Sequence, residues 1–175
     1  LLLFLNMLSA KKVSEGRQLI SATETDNLTG LYNRNFLFEY ANRMRQENPD
    51  TPMDAIVLNI EQFHSVNDVN GRDFGDQVLK CLAEEIRAYL HESKGIAGRA
   101  EGDHFAIYCS HTDDYQGLFK RFQNSLNTVA RNTIIRLRMG VMPWEKKDDV
   151  ARQFDQAHTA CNLARRNYNS SLIVY

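Results

Sequence analysis

At 175 residues, with 43% hydrophobic and 25% charged residues, the chain is sized for one hydrophobic core and has the balance of an ordinary folded domain. A net charge of −1 excludes a nucleic-acid binder that works through a basic surface. Its three cysteines, Cys81, Cys109 and Cys161, are widely spaced and form no CxxC or CxxH pair. That argues against a disulfide framework or a zinc knuckle, and for a reducing cytosol as the protein's home.

Residues 1 to about 25 read as one helix, with Leu5, Leu8, Lys12, Leu19 and Ile20 near heptad spacing and a weak register around Gly16, the pattern of a connector. Two readings of its apolar start stand. Leu1 to Leu8 closes a membrane span or a coiled coil, with Lys11 and Lys12 following on the cytoplasmic side, or it packs on the domain; alone it falls short of the roughly 20 residues a span needs. Asp26 and Thr29-Gly30 break this helix. Asn33 is placed to cap the next, over 34 to about 46, which buries Phe36, Leu37, Tyr40 and Met44. A loop follows at 48–52, then a buried strand at 54–60 and a polar connection over 61–76. A helix from Asp76 to about 90 buries Val78, Leu79, Leu82, Ile86 and Leu90. Residues 96–108 alternate as two strands folded about Glu101-Gly102-Asp103-His104. Next come a helix over about 114–130 and a strand at 135–141, expected to be half-buried because Ile135, Leu137, Met139 and Val141 alternate with Arg136, Arg138 and Gly140. A helix over about 150–166 and a strand at 172–175 close the chain. Strands alternating with helices, one pair of them tightly turned, predict an α/β fold with a mixed sheet, an antiparallel hairpin and helices packed on the sheet.

Three segments stand in a telling order. Asp26-Asn27-Leu28-Thr29-Gly30-Leu31-Tyr32-Asn33-Arg34 matches DxLTGLxNR at every fixed position. Leu58-Asn59-Ile60-Glu61-Gln62-Phe63-His64-Ser65-Val66-Asn67-Asp68, continuing through Gly71-Arg72-Asp73-Phe74-Gly75-Asp76, is similar to DIDxFKxxNDxxGHxxGD. Arg99-Ala100-Glu101-Gly102-Asp103-His104-Phe105 falls where RxGGDEF should stand. Through these segments the chain resembles the GGDEF, or diguanylate cyclase, family from Asp26 to its C-terminus, with residues 1–25 as a connector before a domain at 26–175. The resemblance implies a palm-like sheet shared with nucleotide cyclases and polymerases.

It also implies a chemistry. The family condenses two GTP molecules, each 3′-hydroxyl attacking the other's α-phosphate, with Mg²⁺ neutralising the triphosphate and activating the hydroxyl. By resemblance the metal ligands are Asp103, Asn59 and the backbone carbonyl of Ile60, and the catalytic set is Asp103 with Asn59 and His104. Asn59 stands where the family has a strand aspartate, Glu101 where it has the first signature glycine, and His104 where it has the fourth, acidic letter. Glu61 matches the second acid of DID and is expected on the strand face opposite Asn59. Asn67 and Asp76 match the guanine-reading pair. Phosphate contacts fall to Gly102, Arg72 and Arg166, the family's late lysine being Asn162. The RxxD product-inhibition site would need arginine at Glu92 and aspartate at Gly95. Structural roles compete with each of these: Asp103 as a turn former, Asn67 and Asp76 as helix caps, Arg166 as a helix-dipole partner. His64, His104 and His158 lack the helical spacing of metal ligands.

The altered metal and signature positions predict a degenerate domain that regulates or scaffolds a cyclic di-GMP signalling protein. It is expected on the cytoplasmic side, joined to neighbouring domains of a longer chain. Two alternatives stand beside it: a live cyclase working as a two-fold homodimer, and a GTP-binding sensor without turnover.

Overall fold

The computed structural model describes residues 24–130, 132–166 and 170–175. The expected connector helix therefore lies outside the described residues, except at its last two positions. In chain order the elements are β1 (Tyr32–Asn33), α1 (Arg34–Glu47), β2 (Met53–Ile60), α2 (Phe63–Asn70), α3 (Arg72–Glu92), β3 (Gly95–Arg99), β4 (Phe105–Ser110), α4 (Tyr115–Val129), β5 (Leu137–Met142), α5 (Val150–Arg166) and β6 (Leu172–Val174). The strands form one mixed sheet in the order β1-β3-β4-β2-β5-β6. Neighbours among the four inner strands are antiparallel, and β1 and β6 add to the edges in parallel. This is the α/β architecture that the pattern of elements predicts.

Strand alternation divides the molecule into layers. From β2, Ile56, Leu58 and Ile60 join a core built with α3 and α4, which contribute Leu79, Leu82, Phe122 and Leu126. Ala55 and Val57 face the other way, onto Leu37 and Ala41 of α1 and Phe154 and Ala157 of α5. Burying both faces in this way accounts for the near-continuous apolar run of β2.

The structure differs from the expected elements in two places that matter for the site. Residues 61–76 are not a plain connection: they hold α2, and α3 begins at Arg72 after Gly71. Asp76 is thus inside the second turn of α3 and cannot be its cap. Of the apolar residues of α2, Phe63 and Val66 pack on the core while Val69 is exposed, and eight mostly polar residues give too short a stripe to read. Strand β5 is buried on both faces, not on one, because α5 covers the side that carries Arg138 and Gly140.

At the end of the sheet farthest from Ile60, the carboxylate of Asp54 is fully buried and draws three connections together. It accepts from the Tyr115 hydroxyl (2.6 Å), the Trp144 N–H (2.8 Å) and the His111 ring (3.0 Å). The hydrogen bond to Asp54 raises the pKa of His111 above its ordinary 6.5, against a smaller opposing effect of burial. A raised histidine contributes stability that is fully present below the unfolded-state value and is lost as pH climbs through the higher folded-state value. Urea midpoints are accordingly expected to fall as pH rises above the ordinary histidine value of about 6.5, and His111→Gln to flatten that slope. An unchanged slope in the variant would assign the dependence to another group.

Candidate functional site

The site is built around a hairpin tip and the end of the strand beside it. Arg99 of β3 pairs with Phe105 of β4, leaving residues 100–104 as the turn. Gly102 adopts φ +57°, a left-handed backbone that side-chain-bearing residues resist. The turn is tied back by Arg99, whose Nε donates to the Gly102 carbonyl at 2.7 Å and whose Nη1 donates to both carboxylate oxygens of Asp26 at 3.0 Å. Asp26 in turn accepts from the Thr29 N–H (2.8 Å) and hydroxyl (2.6 Å), and Arg87 donates to the Thr29 carbonyl. Burial pushes the Asp26 carboxyl up, but Thr29 and Arg99 outweigh it and hold the group below its ordinary value. The opening motif at 26–34 thus acts structurally here, as a bracket for the hairpin.

Asp103, Asn59 and His104 meet one another. The Asn59 amide Nδ2 donates to Asp103 Oδ2 at 2.7 Å, and the Ile60 backbone N–H donates to the same oxygen at 2.9 Å. Nδ2 also lies 3.3 Å from His104 Nε2, while His104 Nδ1 lies 3.3 Å from the Glu101 carbonyl. One assignment satisfies all of these: Nε2 accepts from Asn59 and Nδ1–H donates to Glu101. Turning the amide over would set its carbonyl oxygen against the Asp103 carboxylate, so the network dictates its orientation. Both amide hydrogens of Asn59 are then in use.

An open pocket of about 430 Å³ lies beside this cluster, between the ends of β2 and β5, the start of α2 and one face of α5. Asn59 sits directly opposite Arg138 in the β2–β5 register. Arg138 is only 8% exposed, and its Nη2 pairs with Glu61 Oε1 at 3.0 Å. This corrects the expectation for Glu61. Residues two apart along an extended strand share a face, and Glu61 lines the same pocket as Asn59. From α5 come His158, Cys161, Asn162 and Arg165, spaced at i, i+3, i+4 and i+7 on a single helical face. Asn162 Nδ2 lies 3.3 Å from His158 Nδ1. Burial lifts the Cys161 thiol to about 11, with the Arg138 charge acting in the opposite direction. A second pocket of about 350 Å³ adjoins the first, sharing Val57, His104 and His158, and takes its apolar wall from Leu37, Phe38 and Phe154.

Not every candidate reaches this place. Asn67 lies on α2 against Gly75, its Oδ1 buried without a partner, and lines neither pocket. Asp76 and Arg72 are exposed on the first two turns of α3 and also stand apart from both pockets. Arg166 ends α5, and its side chain lies outside the described residues. Two residues that sequence reasoning passed over, Arg138 and Arg165, are the arginines that line the pocket. The helical stripe from His158 offered a signal for Arg165; nothing local signalled Arg138.

Comparison with known proteins bears on the family and the fold. The probable diguanylate cyclase DgcC of Escherichia coli K12 is 28% identical over 164 residues, covering 82% of this chain and 43% of that protein. The cyclic di-GMP phosphodiesterase PdeR of the same organism is 30% identical over 115 residues, 66% of this chain and 16% of that protein. The chain therefore spans less than half the length of these relatives. Among solved structures, the coiled coil and GGDEF domain of DgcB from Caulobacter crescentus, in complex with c-di-GMP, superposes with a TM-score of 0.81 at 20% identity, covering 99% of this chain and 97% of that one. The model of the family described as "Diguanylate cyclase, GGDEF domain" matches residues 23–171, and the chain belongs to the GGDEF family.

Proposed function

We propose that this is the degenerate GGDEF domain of a larger cyclic di-GMP signalling protein, regulating or orienting its neighbours with little or no cyclase turnover. The observation that carries this reading is the hydrogen bond from Asn59 to Asp103, with the Ile60 N–H on the same oxygen. The family's reaction takes GTP with Mg²⁺, which demands near-octahedral oxygen ligands at roughly 2.0–2.1 Å. The residues present do not fit that ion. Of the two oxygens of Asp103, the inward one is held by two N–H donors, and Asn59 turns its amide nitrogen, not its oxygen, toward the carboxylate. His104 brings a ring nitrogen where the signature has an acid. Among the described residues no three His, Cys, Asp or Glu side chains converge to hold a metal ion.

Purified domain supplied with GTP and Mg²⁺ is expected to form no cyclic di-GMP above the level of an Asp103→Ala blank. Sustained product formation abolished by that substitution would establish the live cyclase instead. One observation favours the sensor alternative. The buried, unpartnered Oδ1 of Asn67 is an acceptor that the exocyclic amine of guanine would satisfy. On that reading the domain binds GTP in preference to ATP without consuming it. A place on the cytoplasmic side, in a longer chain, goes with this reading, because cyclic di-GMP signalling draws on the GTP pool and the matched relatives are longer proteins. No helix among the described residues is long and apolar enough to cross a membrane.

A further inference from the structure

We propose that Arg138 is a resident cation that lets this pocket hold the phosphate tail of a nucleoside triphosphate without a divalent metal. The inference rests on the reading above that the metal site is lost. It concerns what the changed pocket binds.

Position and chemistry both support it. Arg138 extends from β5 directly opposite Asn59, beside the place where the family's metal-binding acid would stand. Its side chain is nearly buried and pairs with Glu61 through Nη2 at 3.0 Å, and a guanidinium carries five N–H donors in all. A buried planar fork matches the geometry of phosphate oxygens, two at a time. Arg165 supplies a second guanidinium from α5. The start of α2 completes the wall: Gln62, Phe63 and His64 line the pocket, and Gln62 gives the helix no side-chain cap. Both acids in the lining, Glu61 and Asp103, oppose an incoming phosphate by charge, but Glu61 is the one paired with Arg138 and so the one that competes for its guanidinium. The same positive charge that attracts phosphate repels Mg²⁺ over the few ångströms of the pocket. Both effects shift the pocket from a metal-requiring site to a direct anion site.

The test is calorimetric titration of the full chain with inorganic tripolyphosphate and with GTP, in EDTA and then in Mg²⁺. Binding is expected in EDTA, and Mg²⁺ is expected to leave it unchanged or weaken it. Arg138→Met, which keeps the length of the stem but removes the charge, should lower affinity by about tenfold or more. Glu61→Gln should raise it by about three- to tenfold, because it frees the guanidinium of its competitor. General relief of repulsion would give the gain on Glu61→Gln in the Arg138→Met background as well, whereas competition for the guanidinium requires the gain to vanish there. Should Arg138→Met fail to fold, as judged by its melting curve, Arg138→Lys takes its place, keeping the charge while losing the two-pronged contact, and should still lower affinity. Binding that needs Mg²⁺, affinity indifferent to Glu61→Gln, or no binding in either condition would each overturn the proposal. None of those outcomes alone makes the domain a cyclase; only cyclic di-GMP production does that, so the two readings fail separately.

Discussion

Asp54→Ala is expected to destabilise the domain by about 3–5 kcal/mol, a large share of the roughly 5–15 kcal/mol that holds a typical domain together. The reason is not the loss of one contact. A fully buried carboxylate accepts from Tyr115, Trp144 and His111 at 3.0 Å or less, and the Thr112 N–H reaches it at 3.3 Å. Removing it leaves the Trp144 backbone N–H without its acceptor and the Tyr115 hydroxyl with only the His111 ring at 3.3 Å, and each stranded group costs about 1–3 kcal/mol. The partners come from three connections: the segment after β4, the start of α4 and the segment after β5. Asp54 therefore clamps the far ends of the strands whose near ends carry Asn59 and Arg138. A thermal melt should show Tm lower by about 10 °C. A shift of only a degree or two would mean that water replaces the carboxylate and that the cluster is peripheral to stability.

Gly140→Ala is expected to be comparably severe, at about 3 kcal/mol or more, for a different physical reason. A Cβ at this position would lie 2.1 Å from the Ala157 carbonyl oxygen and 2.2 Å from the Cys161 N–H nitrogen. Both obstacles are backbone atoms of α5, which no rotamer change can move, so the helix must back away from β5 or the strand must bend. Moving α5 carries His158, Cys161, Asn162 and Arg165 away from Arg138, and the pocket opens along with the loss of packing. Denaturant titration measures the first effect, and tripolyphosphate titration of whatever folded protein remains measures the second. A variant as stable as the parent would show that the β5–α5 contact yields more easily than its backbone-to-backbone closeness implies.

These two positions and the site share one frame. Strand β2 is held at one end by Asp54 and carries at the other the residues that decide the chemistry. The Asp26–Arg99 bracket does the same for the hairpin, so the matched opening motif holds in place a turn whose signature letters differ from the family's. Retention of the scaffold with substitution at Asn59, Glu101 and His104 is what a domain kept for its shape would display.

The family, the mixed sheet, the helix boundaries at Asn33 and at 150–166, and the hairpin with Asp103 at its tip are all legible in the residues alone. Those follow from local signals: a capping residue, period-two alternation and motif spacing act within a few residues of one another. It also displayed the departures at Asn59, Glu101 and His104, because a missing carboxylate needs no coordinates to be seen. Only the tertiary structure decided what the changed residues do. The Asn59–Asp103 bond joins positions 44 residues apart, and the choice of which amide end faces the carboxylate exists only once β2 lies beside the hairpin. Alternation identified the two faces of β5 but not that a helix covers each, so Arg138 read as a solvent-facing residue and proved to be buried beside Glu61. Likewise, Asn67 and Asp76 kept their motif spacing, yet the α2–α3 junction sets them apart from the pocket beside Asp103. Periodicity reports which way a side chain leaves its own backbone; what it meets there depends on how the layers stack.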